Sequence, residues 1–155
     1  KKINSAIEFS SDFIIGYPGE TDDDFYETLG LLKKIKYINS FSFIFSPRPG
    51  TPASKMKKIP FNIAKKRLVI FQKKAEEFKL EYRKKLFNNY SSVLFENKIG
   101  DTDEFFGRDE YFNSIIVRSD NDLKGMIKKV KVVDGNQNTL FGEINQKIIQ
   151  KDFAA

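Results

Sequence analysis

The chain has 155 residues, is 40% hydrophobic with 16 Phe, and carries a net charge of +6 without a single Cys or His. That composition excludes disulfides, thiolate and imidazole metal ligands, a Cys nucleophile and any His-based acid–base pair or triad. No apolar run reaches the roughly 18 residues of a membrane span and the first residues do not read as a leader, so the expectation is a cytoplasmic protein of one ordinary or two small domains.

"DFIIGY" reads as a short buried strand, ended by Pro18-Gly19, where Pro pre-sets one turn dihedral and Gly supplies positive φ. Thr21 is a helix N-cap with Asp24 as its capping-box partner. Phe25, Leu29, Leu32 and Ile35 then recur at helical spacing. "INSFSFIFSP" predicts a second strand, apolar enough to be covered on both faces. Strand–helix–strand is the grammar of a parallel α/β sheet. Two strands cannot bury both faces of such a sheet, so this segment calls for more strands, and the chain reads as a piece of a longer protein.

Within it, "IIGYPGET" lacks both the dinucleotide and the P-loop glycine spacing. Asp22, Asp23 and Asp24 fill the first helical turn and would repel an anion there. Gly16 suits either a close backbone approach to a ligand or a purely structural turn. Glu20 is the one acid at a strand-top loop outside a capping position.

"SPRPGTPA" (46–53) stiffens the chain with prolines around Arg48, just past a strand end, where ligands of parallel α/β folds sit. A guanidinium on a rigid lip suits a phosphate or a base plane; the alternative is a connector whose Arg caps a carboxylate. From Phe61 to about Asn88 there is no Gly or Pro. Leu68, Phe71, Ala75, Phe78, Tyr82 and Leu86 form one apolar stripe, predicting a helix over 61–88. Residues 55–90 hold 12 basic and 3 acidic side chains, against 6 and 7 before and 9 and 11 after. The block either attracts a polyanion or solvates a helix face.

Beyond residue 90 the period changes to that of strands. "SSVLFEN", "YFNSIIVRS", "MIKKVKVVD" and "TLFGEINQ", with a fifth short strand near Phe105-Phe106, suggest a small antiparallel barrel. "EFFGRDEYFNSIIVR" sets aromatics beside Arg108 and Arg118, the composition of a single-strand RNA platform. The alternative is that Phe105, Phe106 and Phe112 are core and only Tyr111 is exposed. Lys128, Lys129 and Lys131 would complete a local patch with the arginines.

Taken in order, "DFIIGYPGETDDDFYETL" and "FSFIFSPRPGTPASKM" resemble the last two strand–helix units of the radical-SAM domain of methylthiotransferases. "FFGRDEYFNSIIV", "GMIKKVKVVD" and "TLFGEI" resemble the RNA-binding TRAM domain at their C-terminus. "SPRPGTPA" is similar to the tRNA-directed branch, which adds a methylthio group to carbon 2 of isopentenyl-adenosine beside the anticodon. The resemblance implies an α/β plus all-β chain. Residues 1–88 would be the end of a partial (β/α) radical-SAM barrel with the basic helix 61–88, residues 89–150 the TRAM β-barrel, and 151–155 a tail. The whole enzyme would use S-adenosylmethionine and two [4Fe-4S] clusters. None of the cluster cysteines is here, so the piece alone is expected to bind no cluster or other metal, to hold no catalytic residue and to be inactive.

The same resemblance puts Ile15, Gly16 and Glu20 on the cofactor side. It matches Arg48, Arg108 and Asn113 to the family's RNA-facing stretches, with Asp109 where Ser or Thr is commoner, and with Tyr111, Arg118, Lys129 and Lys131 from the residue reading above these make up the expected RNA-binding set. The implied partners are the tRNA anticodon arm and the missing N-terminal part of the enzyme. A stand-alone RNA-binding module, or the same architecture directed at a ribosomal protein, are the alternatives.

Overall fold

The structure, a computed structural model, describes residues 3–4 and 6–144. The expected tail 151–155 and the last part of the expected barrel, 145–150, lie outside the described residues. The chain divides into two compact units, Lys1–Lys79 and Leu80–Ala155.

In the first unit β1 (Ser10–Ile15), α1 (Asp22–Ile35) and β2 (Asn39–Ile44) form a strand–helix–strand unit. The strands pair in parallel, from Ser10↔Asn39 to Ile15↔Ile44. α1 starts where the sequence places it. Thr21 Oγ1 accepts from the Asp24 N–H at 3.2 Å, and Asp24 Oδ2 accepts from the Thr21 N–H at 2.8 Å. The helix ends at Lys36, which is left-handed at φ 55 and donates its N–H to Leu32 O. A short 3₁₀ turn, Pro52–Lys55, precedes α2 (Phe61–Lys84).

Ile15, Phe25, Leu32 and Phe71 form the unit's core, with Phe13, Leu68, Ala75 and Phe78 packed around it. Only one sheet face is covered. On the other, Ile14, Phe41 and Phe43 are 58–60% exposed, so the two-sided burial expected of β2 is absent among the described residues.

α2 stops at Lys84 rather than near Asn88. The N–H groups of Lys85, Leu86 and Phe87 bond three residues back, to Tyr82, Arg83 and Lys84, and Asn88 turns left-handed at φ 65. The cause is packing: Leu86 and Phe87 sit against the core of the second unit, and reaching it takes them off the helical path.

That second unit is a closed barrel of β3 (Tyr90–Lys98), β4 (Glu104–Asp109), β5 (Ser114–Arg118), β6 (Ile127–Gly135) and β7 (Leu140–Ile144), in the order β3-β4-β5-β7-β6. Alternate residues point inward, among them Val93, Phe95, Phe105, Ile115, Val117, Val130, Val132 and Leu140. The barrel is not wholly antiparallel as expected: β5 and β7 run parallel, from Ile115↔Leu140 to Val117↔Gly142. Five strands cannot alternate direction all the way round a ring, so one parallel neighbour pair is unavoidable. Gly107 lets β3 and β4 approach closely, since a Cβ there would lie 2.5 Å from Leu94 O. β6 and β7 pair antiparallel as a hairpin, joined through the Asn136–Thr139 loop. Its carbonyls at Asn136 and Asn138 accept from the buried Arg83 guanidinium at 2.7 and 3.2 Å.

Candidate nucleic-acid interface

The strand-end turn after β1 is built around an arginine that sequence reading passed over. Arg67, on α2, is buried. Its Nη1 donates to Glu20 Oε1 at 2.6 Å and to the Glu20 carbonyl at 3.1 Å, while Nη2 donates to Asp22 Oδ1 at 2.7 Å. Burial alone would weaken the cation. The hydrogen bonds to Asp22 and Glu20 outweigh it and hold its pKa above the usual arginine value. The other Glu20 oxygen accepts from the Gly16 N–H at 2.9 Å. Gly16 sits at φ 75, and a Cβ there would lie 2.7 Å from the Ala64 Cβ of α2, so helix packing is what demands the glycine. Ile15 points into the core beneath the sheet. All three residues assigned to the cofactor side thus serve the inside of the strand-end turn. A signal for Arg67 existed: it lies three residues after Ala64 and four before Phe71, on the buried stripe, and a charge there requires partners.

The neighbouring strand end looks outward. Ile14, Phe43, Phe45, Ser46, Arg48, Thr51 and Ala53 line a cavity of about 410 Å³. Because side chains alternate along a strand, Ile14 rather than Ile15 reaches this side. The Arg48 carbonyl accepts from Thr51 N–H and Oγ1 at 3.2 and 2.8 Å. Those bonds fix the loop and leave the exposed guanidinium with no ion-pair partner among the described residues.

On the barrel the RNA-assigned residues separate. Outward-facing Lys129 and Lys131 of β6 stand opposite Ser92 and Tyr90 of β3, and Ile127 stands opposite Leu94. Leu94 in turn faces Arg108 of β4. One surface therefore carries Lys129, Lys131, Arg108 and the exposed Tyr90, Leu94 and Ile127. The two lysines have no ion-pair partner among the described residues. Arg108 donates to both Glu96 oxygens at 2.7 and 3.0 Å and lies 5.2 Å from the Phe106 ring centre. Arg118 is elsewhere, on β5, donating to Glu104 at 3.2 Å. The side chain of Lys128 alternates away from that of its neighbours Lys129 and Lys131.

Around the β4–β5 turn the aromatics match neither alternative in full. Phe112 is 76% exposed, Phe105 is core and Phe106 is half-buried. Tyr111 is half-buried, with its ring edge-on to Tyr82 at 6.4 Å. Asn113 is buried and donates its backbone N–H and Nδ2 to the two oxygens of Asp109, at 2.8 and 2.9 Å; Tyr111 N–H joins at 2.9 Å. Asp109 is therefore a turn-builder, which explains a carboxylate where a hydroxyl is commoner: it accepts three bonds at once. Burial pulls the pKa of neighbouring Arg83 below the usual arginine value, opposed by the Asp109 charge. Among the described residues no three His, Cys, Asp or Glu side chains stand where they could hold a metal ion, and no helix is long and apolar enough to cross a membrane.

No protein-family model matches the chain. It is similar to the tRNA-2-methylthio-N(6)-dimethylallyladenosine synthase of Pelagibacter ubique, with 44% identity over 97% of this chain and 34% of that protein. The Rickettsia bellii protein of the same name is 40% identical over 93% of this chain and 33% of its own length. For that of Wolbachia pipientis from Culex pipiens the figures are 38%, 92% and 33%. The chain spans about a third of the length of these curated relatives, and the matched stretch is their C-terminal part.

Proposed function

The chain belongs to the tRNA methylthiotransferase family as its C-terminal part, and from that premise we propose that it grips the anticodon arm for a cytoplasmic enzyme that methylthiolates carbon 2 of isopentenyl-adenosine. β1 to α2 would be the closing units of a radical-SAM barrel, and the five-stranded barrel a TRAM domain. The observation that carries the reading is the β6–β3–β4 surface. Two unpaired lysines, an arginine and an exposed tyrosine converge there on an otherwise slightly acidic domain. Such a patch can neutralise phosphates locally while the carboxylates around it discourage indiscriminate binding.

The residues present do not fit an iron–sulfur cluster, since 155 residues without a cysteine offer no thiolate. In the whole enzyme, S-adenosylmethionine would supply the radical that attacks the adenine. This chain's share would be one wall. Ile14, Phe43 and Phe45 would exclude water at the strand ends, Arg48 would meet an anion or a base plane at the lip, and Arg67 through Glu20 would hold the Gly16 turn in place. On the barrel Arg108, Lys129 and Lys131 would take phosphates, with Tyr111 and Arg118 at the margins and Asn113 acting only through the turn.

Titration of an anticodon-arm RNA at several salt concentrations tests this. The chain should bind, and K129E/K131E should weaken binding and lower the salt slope by about 2, roughly 1 per lysine. Arg48→Ala should cost about 1–3 kcal/mol of affinity. No binding, or a double variant with an unchanged slope, would remove the assignment.

A further inference from the structure

Asp109 N–H donates to Asn113 O at 3.2 Å and Phe112 N–H to Asp109 O at 3.0 Å. Glu110, Tyr111 and Phe112 are thus a three-residue hairpin loop. The last residue of such a loop is left-handed, a position that ordinarily goes to Gly or Asn. Here it is Phe112, at φ 60. A bulky side chain in that region is a true outlier. The loop cannot relax out of it, because Asp109 holds both Tyr111 and Asn113. Nor does the ring gain by packing, at 76% exposure. The position combines an uphill backbone with an unburied aromatic face, so neither local conformation nor the core accounts for the residue. Strain kept in place by its surroundings marks sites where a side chain must be presented.

The surroundings suit an RNA strand. β3 and β4 are antiparallel, with Val93 opposite Asp109, so the start of β3 and the β4–β5 turn share one end of the barrel. Tyr90, opposite Lys131, lies at that end. Tyr82 touches the turn through Tyr111, and the exposed Lys84 and Lys85 follow it in the chain. We propose that Phe112 is a preset stacking finger for an unpaired nucleobase of the bound RNA, with Lys131, Lys84 and Lys85 taking the flanking phosphates. The inference rests on the RNA reading above and adds the residue that stacks on the loop. Base–aromatic stacking is tolerant of base identity and needs an exposed ring held still.

The test is a titration of the full chain with an anticodon stem–loop RNA carrying a fluorescent adenine analogue in its loop, alongside thermal unfolding. F112N relieves the backbone, so its melting temperature should hold or rise by a few degrees. Its affinity should fall about tenfold, the scale of one lost stack, with an unchanged salt slope and without the fluorescence quenching that accompanies stacking. F112W should keep both affinity and quenching. Equal binding by F112N, loss of binding by F112W, or a lowered melting temperature for F112N would each overturn the assignment while the RNA reading stood. A wild-type chain that does not bind the stem–loop would overturn both.

Discussion

In the barrel every strand has a partner on each side, whereas β1 and β2 have only each other among the described residues. The barrel's inner face is filled by its own side chains. The front sheet covers one face with α1 and α2 and leaves Ile14, Phe41 and Phe43 open. A closed ring has no unpaired edge to protect, so about sixty residues suffice. A parallel sheet needs cover on both faces, and the described residues supply half of it. The difference shows where the protein completes itself and where it expects more structure.

The largest expected effect breaks the closed side. Phe95→Ala removes a fully buried ring and should cost about 3–5 kcal/mol, read as loss of the barrel's unfolding transition. A cost below 1 kcal/mol would mean the barrel core is not the sealed body described.

Next, the two buried arginines of α2 compare the two units directly. Arg67 serves carboxylates and Arg83 serves carbonyls. Arg67→Met strands Glu20 and should destabilise by about 3 kcal/mol, the lower end for a broken buried pair because Asp22 stays in water. Arg83→Met strands two neutral carbonyls and removes the cation facing the Asp109 charge without breaking a direct pair, and should cost about 1–2 kcal/mol. Denaturant titrations giving the reverse order would remove the distinction.

A smaller effect belongs to the α1 cap. Thr21→Ala should cost about 1 kcal/mol. The Thr21 backbone N–H, then its hydroxyl, hold the Asp24 carboxyl below its ordinary pKa. A depressed folded value means the contribution is present above the ordinary carboxylate range and is lost as pH falls through it. The wild-type advantage in helicity over an Asp24→Ala variant should therefore persist at neutral pH and fade below about pH 4; an advantage independent of acid would break the capping-box account.

The smallest effect is on the open face. F41S/F43S should change stability by no more than about 0.5 kcal/mol per site and reduce self-association in sedimentation. A loss like that of Phe95→Ala would mean the face is covered.

Much of this was legible in the residues. The Pro-Gly turn, the Thr21–Asp24 cap, the stripe on α2 and the barrel strands follow from spacing and local chemistry, which act over a few neighbours. The site was legible less evenly. Ile14 and Ile15 both end the same strand, and only packing says which one faces inward. Tyr111 and Phe112 are neighbours in one turn, and only the Asp109 bonds decide that the tyrosine is half-buried and the phenylalanine projects. Arg108, Arg118 and the lysines look alike along the chain. Which of them lack a carboxylate depends on cross-strand neighbours such as Glu96 and Glu104, at sequence separations no local pattern reveals.

The sequence by itself determined the element types and the absence of any thiolate or imidazole chemistry, because periodicity, turn residues and composition are properties of short stretches. Only the tertiary structure decided that Gly16 and Glu20 belong to Arg67, that the barrel closes through one parallel pair, and that Phe112 stands outside. Each of these depends on which distant backbones are brought within a few ångströms, a matter settled by closure and packing of the whole unit.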